Sequence, residues 1–279
     1  MTQELFGFDA FAPREIAARI ENVGVVKARL PLMAMVMLSV LAGAFIALGA
    51  QSFVIVRSDA TLGWGTAQML GGLVFSLGLL LVIVAGAELF TGNNLLVMAW
   101  ADGKIGTGEL LRNWAIVCTG NLVGAVGMAV LVYLSGHLGL NGGALGRTVL
   151  AIAAAKCSLP WHELVLRGVL CNVLVCMAVW MAMAGRSVVD KAVAIVFPIS
   201  AFVAAGYEHS IANMYLIPLA MLLKAGGVAA AAGVAVEAID LAALVRNLVF
   251  VIAGNLVGGS VLVGLAYHLI YRRGAKPQS

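Results

Sequence analysis

Two short stretches of the sequence decide the fold, 85–93 (AGAELFTGN) and 205–213 (AGYEHSIAN). Each places one glutamate, Glu88 or Glu208, inside a long run of apolar residues. The run around Glu208 would measure about 48 Å as one straight helix, far more than a hydrocarbon core of about 30 Å. We therefore predict that both runs are helices interrupted near the middle of a membrane, where polar side chains satisfy the freed backbone groups.

A second pair of matching stretches shows that the chain repeats itself. The sequence 112–124 begins with RN and ends with GNLVG, and 246–258 does the same. Each half then holds three membrane-crossing segments, and an odd number forces the halves into opposite orientations. The predicted fold is an all-α integral membrane protein with six transmembrane segments in a 3+3 inverted repeat, two of them broken helices.

The composition supports a membrane protein and excludes other classes. Of the 279 residues, 62% are hydrophobic and 11% are charged, whereas a soluble domain carries roughly a quarter charged residues. The net charge of +4 is small, which argues against a nucleic-acid partner. No cleavable signal is expected, because the stretch up to Arg29 is mixed polar.

The segments before and after the membrane domain are short. Pro13 suits a first helical turn and Ile16 and Ile20 recur at helical spacing, which predicts an amphipathic helix over 13–29 on the membrane surface. The predicted units are an N-terminal interfacial segment 1–31, one transmembrane domain 32–272 with repeats at 32–136 and 164–272, and a tail 273–279. The uninterrupted spans are predicted over 32–54, 113–136, 165–185 and 247–271.

The basic residues set the orientation. Most of the 17 lysines and arginines fall on the side that holds both termini in this arrangement. Because basic residues collect in cytoplasmic loops, both termini are predicted to be cytoplasmic.

Polar residues in the two predicted breaks are the candidate site. Glu88 and Glu208 occupy matching places, so we expect each carboxylate to cap backbone amides of its own broken helix. Asn213, at the end of the second stretch, supports that break in the same way. Asn121 and Asn255 also match, and are expected to hydrogen-bond between helices.

His209 breaks the symmetry, because Leu89 stands at its place in the first stretch. A titratable ring at a midplane break is a functional candidate; the alternative is a neutral histidine satisfied by a carbonyl. Thr91 and Asn172 offer hydrogen bonds near the same depth. Lys156, in an apolar run before Pro160, is either a vestibule cation or a solvated loop lysine.

Several motifs together resemble the formate/nitrite transporter family. They are 206–214 (GYEHSIANM), 87–92 (AELFTG) and 185–192 (GRSVVDKA), and the similarity runs over nearly the whole chain. The resemblance implies an aquaporin-like fold, assembly as a homopentamer with one pore per subunit, and a bacterial inner membrane as the location. It also implies transport of formate or a related small monovalent anion.

The resemblance assigns roles to individual residues. His209, Thr91 and Asn172 form the central polar site. Lys156 attracts anions at the outer vestibule. Five apolar residues form constrictions, the outer one from Phe75 and Phe202 and the inner one from Leu79, Leu89 and Phe90. The segment after Thr91 is implied to be mobile, and the N-terminal helix to block the inner mouth.

The implied mechanism rests on the cost of moving a bare anion through an apolar constriction, which is much greater than that of a neutral acid. His209, through water or through Thr91, supplies a proton to the substrate; a simple anion channel in which His209 only donates hydrogen bonds stays open. Alternatives are a nitrite or hydrosulfide channel of the same family, or a neutral-solute pore. An enzyme is not expected, because no nucleophile–base pair or ligand cluster is evident, and no cofactor or metal is predicted.

Overall fold

A computed structural model describes residues 10–231 and 233–273, and every regular element in those ranges is a helix. The first repeat region contains α1 (Pro13–Ala28), α2 (Leu32–Arg57), α3 (Trp64–Phe75), α4 (Leu77–Ala85), α5 (Phe90–Asn93), α6 (Val97–Ala101) and α7 (Thr107–Leu134). The second contains α8 (Ala144–Ser158), α9 (Trp161–Ala184), α10 (Val188–Ala204), α11 (Ser210–Ala225), α12 (Leu241–Leu256) and α13 (Ala266–Tyr271). Short 3₁₀ turns lie at Asn94–Leu96, His137–Gly139 and Val236–Ala238, and a π-helix, Val257–Leu265, joins α12 to α13.

Five apolar stretches in the described ranges are long enough to cross a membrane. They are Leu32–Arg57, Trp64–Ala85, Thr107–Leu134, Trp161–Ala184 and Leu241–Tyr271. The predicted uninterrupted spans lie within a few residues of four of them. The predicted broken stretch around Glu208 is divided between α10 and α11, of 17 and 16 residues, and each alone is shorter than the about 20 residues that a crossing needs.

Local sequence signals explain where the helices begin. Pro13 opens α1, and the Glu15 carboxylate accepts a hydrogen bond from the Ala12 amide at 2.8 Å. At α10, the Ser187 hydroxyl accepts from the Asp190 amide at 3.1 Å while the Asp190 carboxylate accepts from the Ser187 amide at 2.9 Å. Such reciprocal caps satisfy amides that have no partner within the helix.

Glycines let two pairs of long helices approach closely. A Cβ atom at Gly43 or Gly124 would overlap backbone atoms of the opposite helix in the α2–α7 pair. The same holds against α9 for Gly254 on α12 and for Gly258 on the π-helix that continues it. Small residues are the usual means by which membrane helices pack backbone to backbone. The repeated GNLVG sequence is therefore a helix-packing motif, used once in each half of the chain.

The described ends of the chain lie together. On α1, the buried Glu21 carboxylate contacts Lys104, in the loop between α6 and α7, and accepts from Arg272, which follows α13, at 2.5 Å. These contacts place α1, the α6–α7 loop and the end of α13 at one end of the molecule, which we call the α1 end.

Candidate functional site

The two breaks have the same backbone geometry. Gly86 follows α4 with φ of 83°, and Gly206 follows α10 with φ of 69°, in the left-handed region that glycine adopts without strain. In both, the amide after the glycine donates back to a carbonyl of the last helical turn, at 2.8 and 3.1 Å. This C-terminal cap ends α4 at Ala85 and α10 at Ala204, a few residues before Glu88 and Glu208. The requirement for a glycine there explains why the Ala-Gly pair appears twice.

Asn121 and Asn255 hydrogen-bond to backbone groups that have no helical partner at the breaks. Each side-chain oxygen accepts from the first amide of the following half-helix, at 2.9 and 3.1 Å. Each side-chain nitrogen donates to the carbonyl of the glutamate in the break, at 2.9 and 3.1 Å. The expected interhelical hydrogen bonds are present, and they hold each break to the long helix beside it.

A closed ring of polar side chains surrounds the second break. The Glu208 carboxylate accepts from the Lys156 ammonium at 2.8 Å and from the Asn213 amide at 2.7 Å. Asn213 also donates to the side-chain oxygen of Asn247 at 2.8 Å, and Asn247 donates to the Lys156 carbonyl at 3.2 Å. The Glu208 side chain is only 3% exposed, and its charge is compensated within this ring.

The first break carries the same ring with matching residues. The Glu88 carboxylate accepts from Lys27 on α1 at 2.7 Å and from Asn93 at 2.7 Å. Asn93 donates to Asn113 at 3.0 Å, and Asn113 donates to the Lys27 carbonyl at 3.1 Å. The prediction that the two carboxylates cap backbone amides is therefore wrong, because each buried charge binds a lysine and an asparagine side chain instead.

His209 follows Glu208 in the second break and is buried, at 2% exposure. Its Nδ1 accepts from the Ala212 amide at 3.2 Å, so the ring forms the N-terminal cap of α11. Its Nε2 lies 3.0 Å from the Thr91 hydroxyl. Because Nδ1 is an acceptor here, this geometry fits a neutral ring with its proton on Nε2, which donates to Thr91.

Asn172 hydrogen-bonds to the backbone segment that carries Thr91. Its amide nitrogen donates to the Thr91 carbonyl at 3.2 Å, to Asn94 Oδ1 at 2.7 Å and to the Asn255 carbonyl at 2.8 Å. Its own side-chain oxygen is buried without a hydrogen-bond donor in the described structure. The three residues proposed for the central site thus lie in one connected group, with Thr91 between the other two.

Two cavities approach this group from opposite sides. The larger cavity, about 250 Å³, includes His209, Lys156 and Phe202 in its wall. The smaller cavity, about 50 Å³, is lined by α1 together with Leu79 and Leu89. The smaller one lies at the α1 end, because Lys27 and Ile20 of α1 form part of its wall.

The predicted constriction residues fall into two groups. The Phe75 and Phe202 rings meet edge to face with centroids 5.6 Å apart, and the Phe202 centroid is 5.8 Å from that of His209. These two phenylalanines line the larger cavity, whereas Leu79 and Leu89 line the smaller one. Phe90 is buried at 3% exposure but lines neither cavity.

Lys156 belongs to the last turn of α8 and lines the larger cavity. With 16% side-chain exposure and a carboxylate partner, it is not a solvated loop lysine. Its counterpart Lys27 was missed by the sequence analysis. The signal was present, because 27–31 reads KARLP and 156–160 reads KCSLP, and this match extends the correspondence between the halves to α1 and α8.

A buried polar group between two cavities, within membrane-length apolar helices, is the arrangement of a membrane channel or transporter. A sequence model of formate/nitrite transporters matches residues 14–269. The chain belongs to the formate/nitrite transporter family.

Characterised relatives span almost the whole chain. The formate channel FocA of Escherichia coli (strain K12) is 40% identical over 274 residues, which cover 95% of this chain and 96% of that protein. The formate channel FocA of Haemophilus influenzae is 38% identical over 265 residues, covering 92% and 93%.

Solved structures agree with this assignment. A structure described as a pentameric formate channel with formate bound superposes with a TM-score of 0.79 at 36% identity, covering 86% of this chain and 97% of that one. A second, described as an FNT family ion channel, gives 0.77 at 32% identity, covering 92% and 98%.

Proposed function

We propose that this chain is a channel for formate and related small monovalent anions in the inner membrane of a bacterium. The observation that carries the proposal is the Thr91–His209 hydrogen bond, 3.0 Å long, which stands between the two cavities. The relatives named above are formate channels, and His209 and Thr91 lie in two of the motifs that carry the resemblance.

The proposed architecture is a 3+3 inverted repeat of six membrane segments with an aquaporin-like fold. The two equivalent Lys–Glu–Asn–Asn rings and the two glycine-packed helix pairs support it. The contact between Glu21 and Arg272 supports both termini on one side, and the excess of basic residues there makes that side the cytoplasm. The smaller cavity then opens inward and the larger one outward.

The proposed assembly is a homopentamer with one pore per subunit. It is supported by the solved relative described as a pentameric formate channel. A mass measurement on the detergent-solubilised protein is expected to give five chains. A dimer or trimer would contradict this part of the proposal.

Transport begins with the anion in the larger cavity. Lys156 at its wall offers a positive charge and hydrogen-bond donors at short range. Phe75 and Phe202 then present an apolar barrier, which an unpaired charge crosses only at high cost. Desolvation between the rings favours the neutral acid over the anion, so the barrier selects for substrates that can accept a proton.

His209 is the proposed source of that proton. In the observed geometry its Nδ1 is occupied by the Ala212 amide, so Nε2 donates a hydrogen bond but has no second proton to release. When Nδ1 takes up a proton from water in the larger cavity, the cap to Ala212 is lost and the ring becomes an imidazolium. Its Nε2 proton can then be transferred to the carboxylate, directly or through the Thr91 hydroxyl, which leaves a neutral ring and a neutral acid. Formic acid then passes, and its proton is released on the far side.

The test is flux into proteoliposomes. We expect a formate gradient to collapse far faster than in protein-free liposomes, whereas glycerol permeation is unchanged. A competition series with nitrite, hydrosulfide, acetate and lactate then ranks the anions. Glycerol permeation without formate flux would overturn the proposal in favour of a neutral-solute pore.

A further inference from the structure

The larger cavity contains two arginines that the proposed transport steps do not use. Arg57 lies in the last turn of α2 and Arg167 lies on α9, and both side chains line the cavity. Among the described residues, the charged members of this lining are Arg57, Lys156, Arg167 and Glu208. Three cations therefore face one anion.

The cations are not equivalent, because Lys156 is already paired. Its ammonium is 2.8 Å from Glu208, and the two side chains are 16% and 3% exposed. Seen from the mouth of the cavity this pair is close to neutral. The net positive charge of the lining therefore resides on the two arginines.

Arg57 carries an uncompensated charge. Within 10–231 and 233–273, no carboxylate lies within ion-pair distance of its guanidinium. The nearest acid along the chain, Asp59, instead accepts from the Thr61 amide at 2.8 Å and the Thr61 hydroxyl at 2.7 Å. These donors hold the Asp59 carboxylate on its own loop and lower its pKa below the ordinary value.

Among the described residues, the acidic partner of Arg167 lies outside the cavity lining. Its guanidinium is 2.5 Å from Glu163, one turn earlier on α9, and both side chains are well exposed, at 40% and 38%. Water and salt screen such a pair strongly, so it contributes little. The guanidinium keeps donors free, since Arg carries five N–H groups and Glu163 engages the NH2 group alone.

The smaller cavity has no such arrangement. Among its described lining residues the charged side chain is Lys27, which is paired with Glu88 at 2.7 Å. The two polar rings match, but Arg57 and Arg167 line the larger cavity and have no counterpart in the lining of the smaller one.

We propose that Arg57 and Arg167 form an anion-capture site for small monocarboxylates in the mouth of the larger cavity, ahead of Lys156 and the two phenylalanines. The proposal rests on the proposed function and adds a step to it. A planar guanidinium matches both oxygens of a carboxylate at once. Two of them in a concave, partly apolar mouth raise the local concentration of the anion before it loses water.

This role predicts a particular kinetic signature. Capture affects how much formate is needed for half-maximal flux, while the maximal rate is set by the later apolar barrier. Since both arginines are partly exposed, their attraction acts over a Debye length, about 10 Å at 0.1 M salt and about 30 Å at 0.01 M. The effect should therefore be large at low ionic strength and small at high ionic strength.

The experiment compares Arg57→Gln, Arg167→Gln and the double variant in proteoliposomes at 0.01 M and 0.3 M ionic strength. At low salt we expect the double variant to raise the half-saturating formate concentration on the order of fivefold, with an unchanged maximal rate. At high salt the difference should fall below about twofold. Arg147→Gln is the matched control, because Arg147, on the first turn of α8, donates to the Gly142 carbonyl and lies outside the lining of the larger cavity.

A charge-conserving pair of variants separates electrostatics from packing. At low salt Arg57→Lys with Arg167→Lys should fall between the wild type and the glutamine pair, because it keeps both charges but loses the planar fork that matches a carboxylate. If it behaves like the glutamine pair, the arginines act through packing and the capture site is overturned. Wild-type protein without formate flux would overturn the proposed function, whereas wild-type flux with unaffected glutamine variants would overturn the capture site alone.

Discussion

The two breaks are built alike but differ in chemistry. Both have a glycine in the left-handed region and a buried glutamate paired with a lysine. In both, two asparagine side chains link that glutamate to the backbone carbonyl of the same lysine. The first break then continues with Leu89 and Phe90, and the second with His209 and Ser210. The shared parts hold two interrupted helices in place. The unshared parts put a titratable ring at the centre.

The half-helices after the breaks differ as well. The second, α11, is continuous over 16 residues. The first is divided into α5, a 3₁₀ turn and α6, and it packs on the π-helix Val257–Leu265, where the Ser260 hydroxyl donates to the Asn94 carbonyl at 3.2 Å. Irregular helical turns of this kind are often found at functional sites. The histidine thus stands on the regular half-helix, and its partner Thr91 on the irregular one.

The largest effect is expected from breaking one polar ring. Lys156→Met leaves the Glu208 carboxylate buried without its counter-charge, which should lower the free energy of unfolding by about 3–5 kcal/mol. Lys27→Met should cost less, because Lys27 is 26% exposed and water can reach Glu88 more easily. Denaturation in detergent measures the free energy of unfolding of both variants.

The control for this pair is Lys191→Met, since Lys191 has no acidic partner within ion-pair distance in the described part of the chain. It should leave stability nearly unchanged. Equal losses in Lys191→Met and Lys156→Met would show that the ring does not stabilise the break.

A smaller effect is expected from the glycine contacts that the two halves share. Gly124→Ala and Gly258→Ala should each cost about 1–3 kcal/mol, because the added methyl group meets a backbone carbonyl of the neighbouring helix. Gly127→Ala is the control on the same helix, since a Cβ there meets no atom within 4 Å. A loss at Gly124 without one at Gly258 would mean that the two helix pairs are not equivalent.

The phenylalanines test the difference between the two cavities. Replacing Phe75 and Phe202 with alanine should speed formate flux and raise the flux of lactate relative to formate by about tenfold, because the steric barrier is removed. Leu79→Ala, on the side of the smaller cavity, should change that ratio less. Unchanged size selectivity in the folded double variant would place the filter elsewhere.

Much of the helical framework could be predicted from the sequence. Apolar length and the two repeated stretches located the long helices and both breaks, since these features depend on local spacing and composition. The central group of His209, Thr91 and Asn172 came from the family resemblance. Its two contacts with Thr91 join residues 118 and 81 positions apart, which leave no local signal of contact in the sequence.

The polar rings and the charge of the larger cavity could not be predicted in the same way. The carboxylates were expected to cap amides, and the lysines that compete for them lie on α1 and α8, outside the stretches that identified the breaks. Only the KARLP and KCSLP match pointed to Lys27. Arg57 and Arg167 were not singled out as site residues, because the sequence does not show which side chains converge on one cavity.

The most direct test of the account is the pH dependence of formate flux in His209→Asn. Asparagine is a good N-terminal cap and can accept from the Ala212 amide, so folding and assembly should persist while the titratable group is lost. In liposomes between pH 5 and 8, where histidine changes charge, we predict that wild-type flux rises as pH falls and that the variant is slower with a nearly flat profile. A folded variant that keeps the wild-type rate and pH profile would contradict the account and leave His209 as a structural cap.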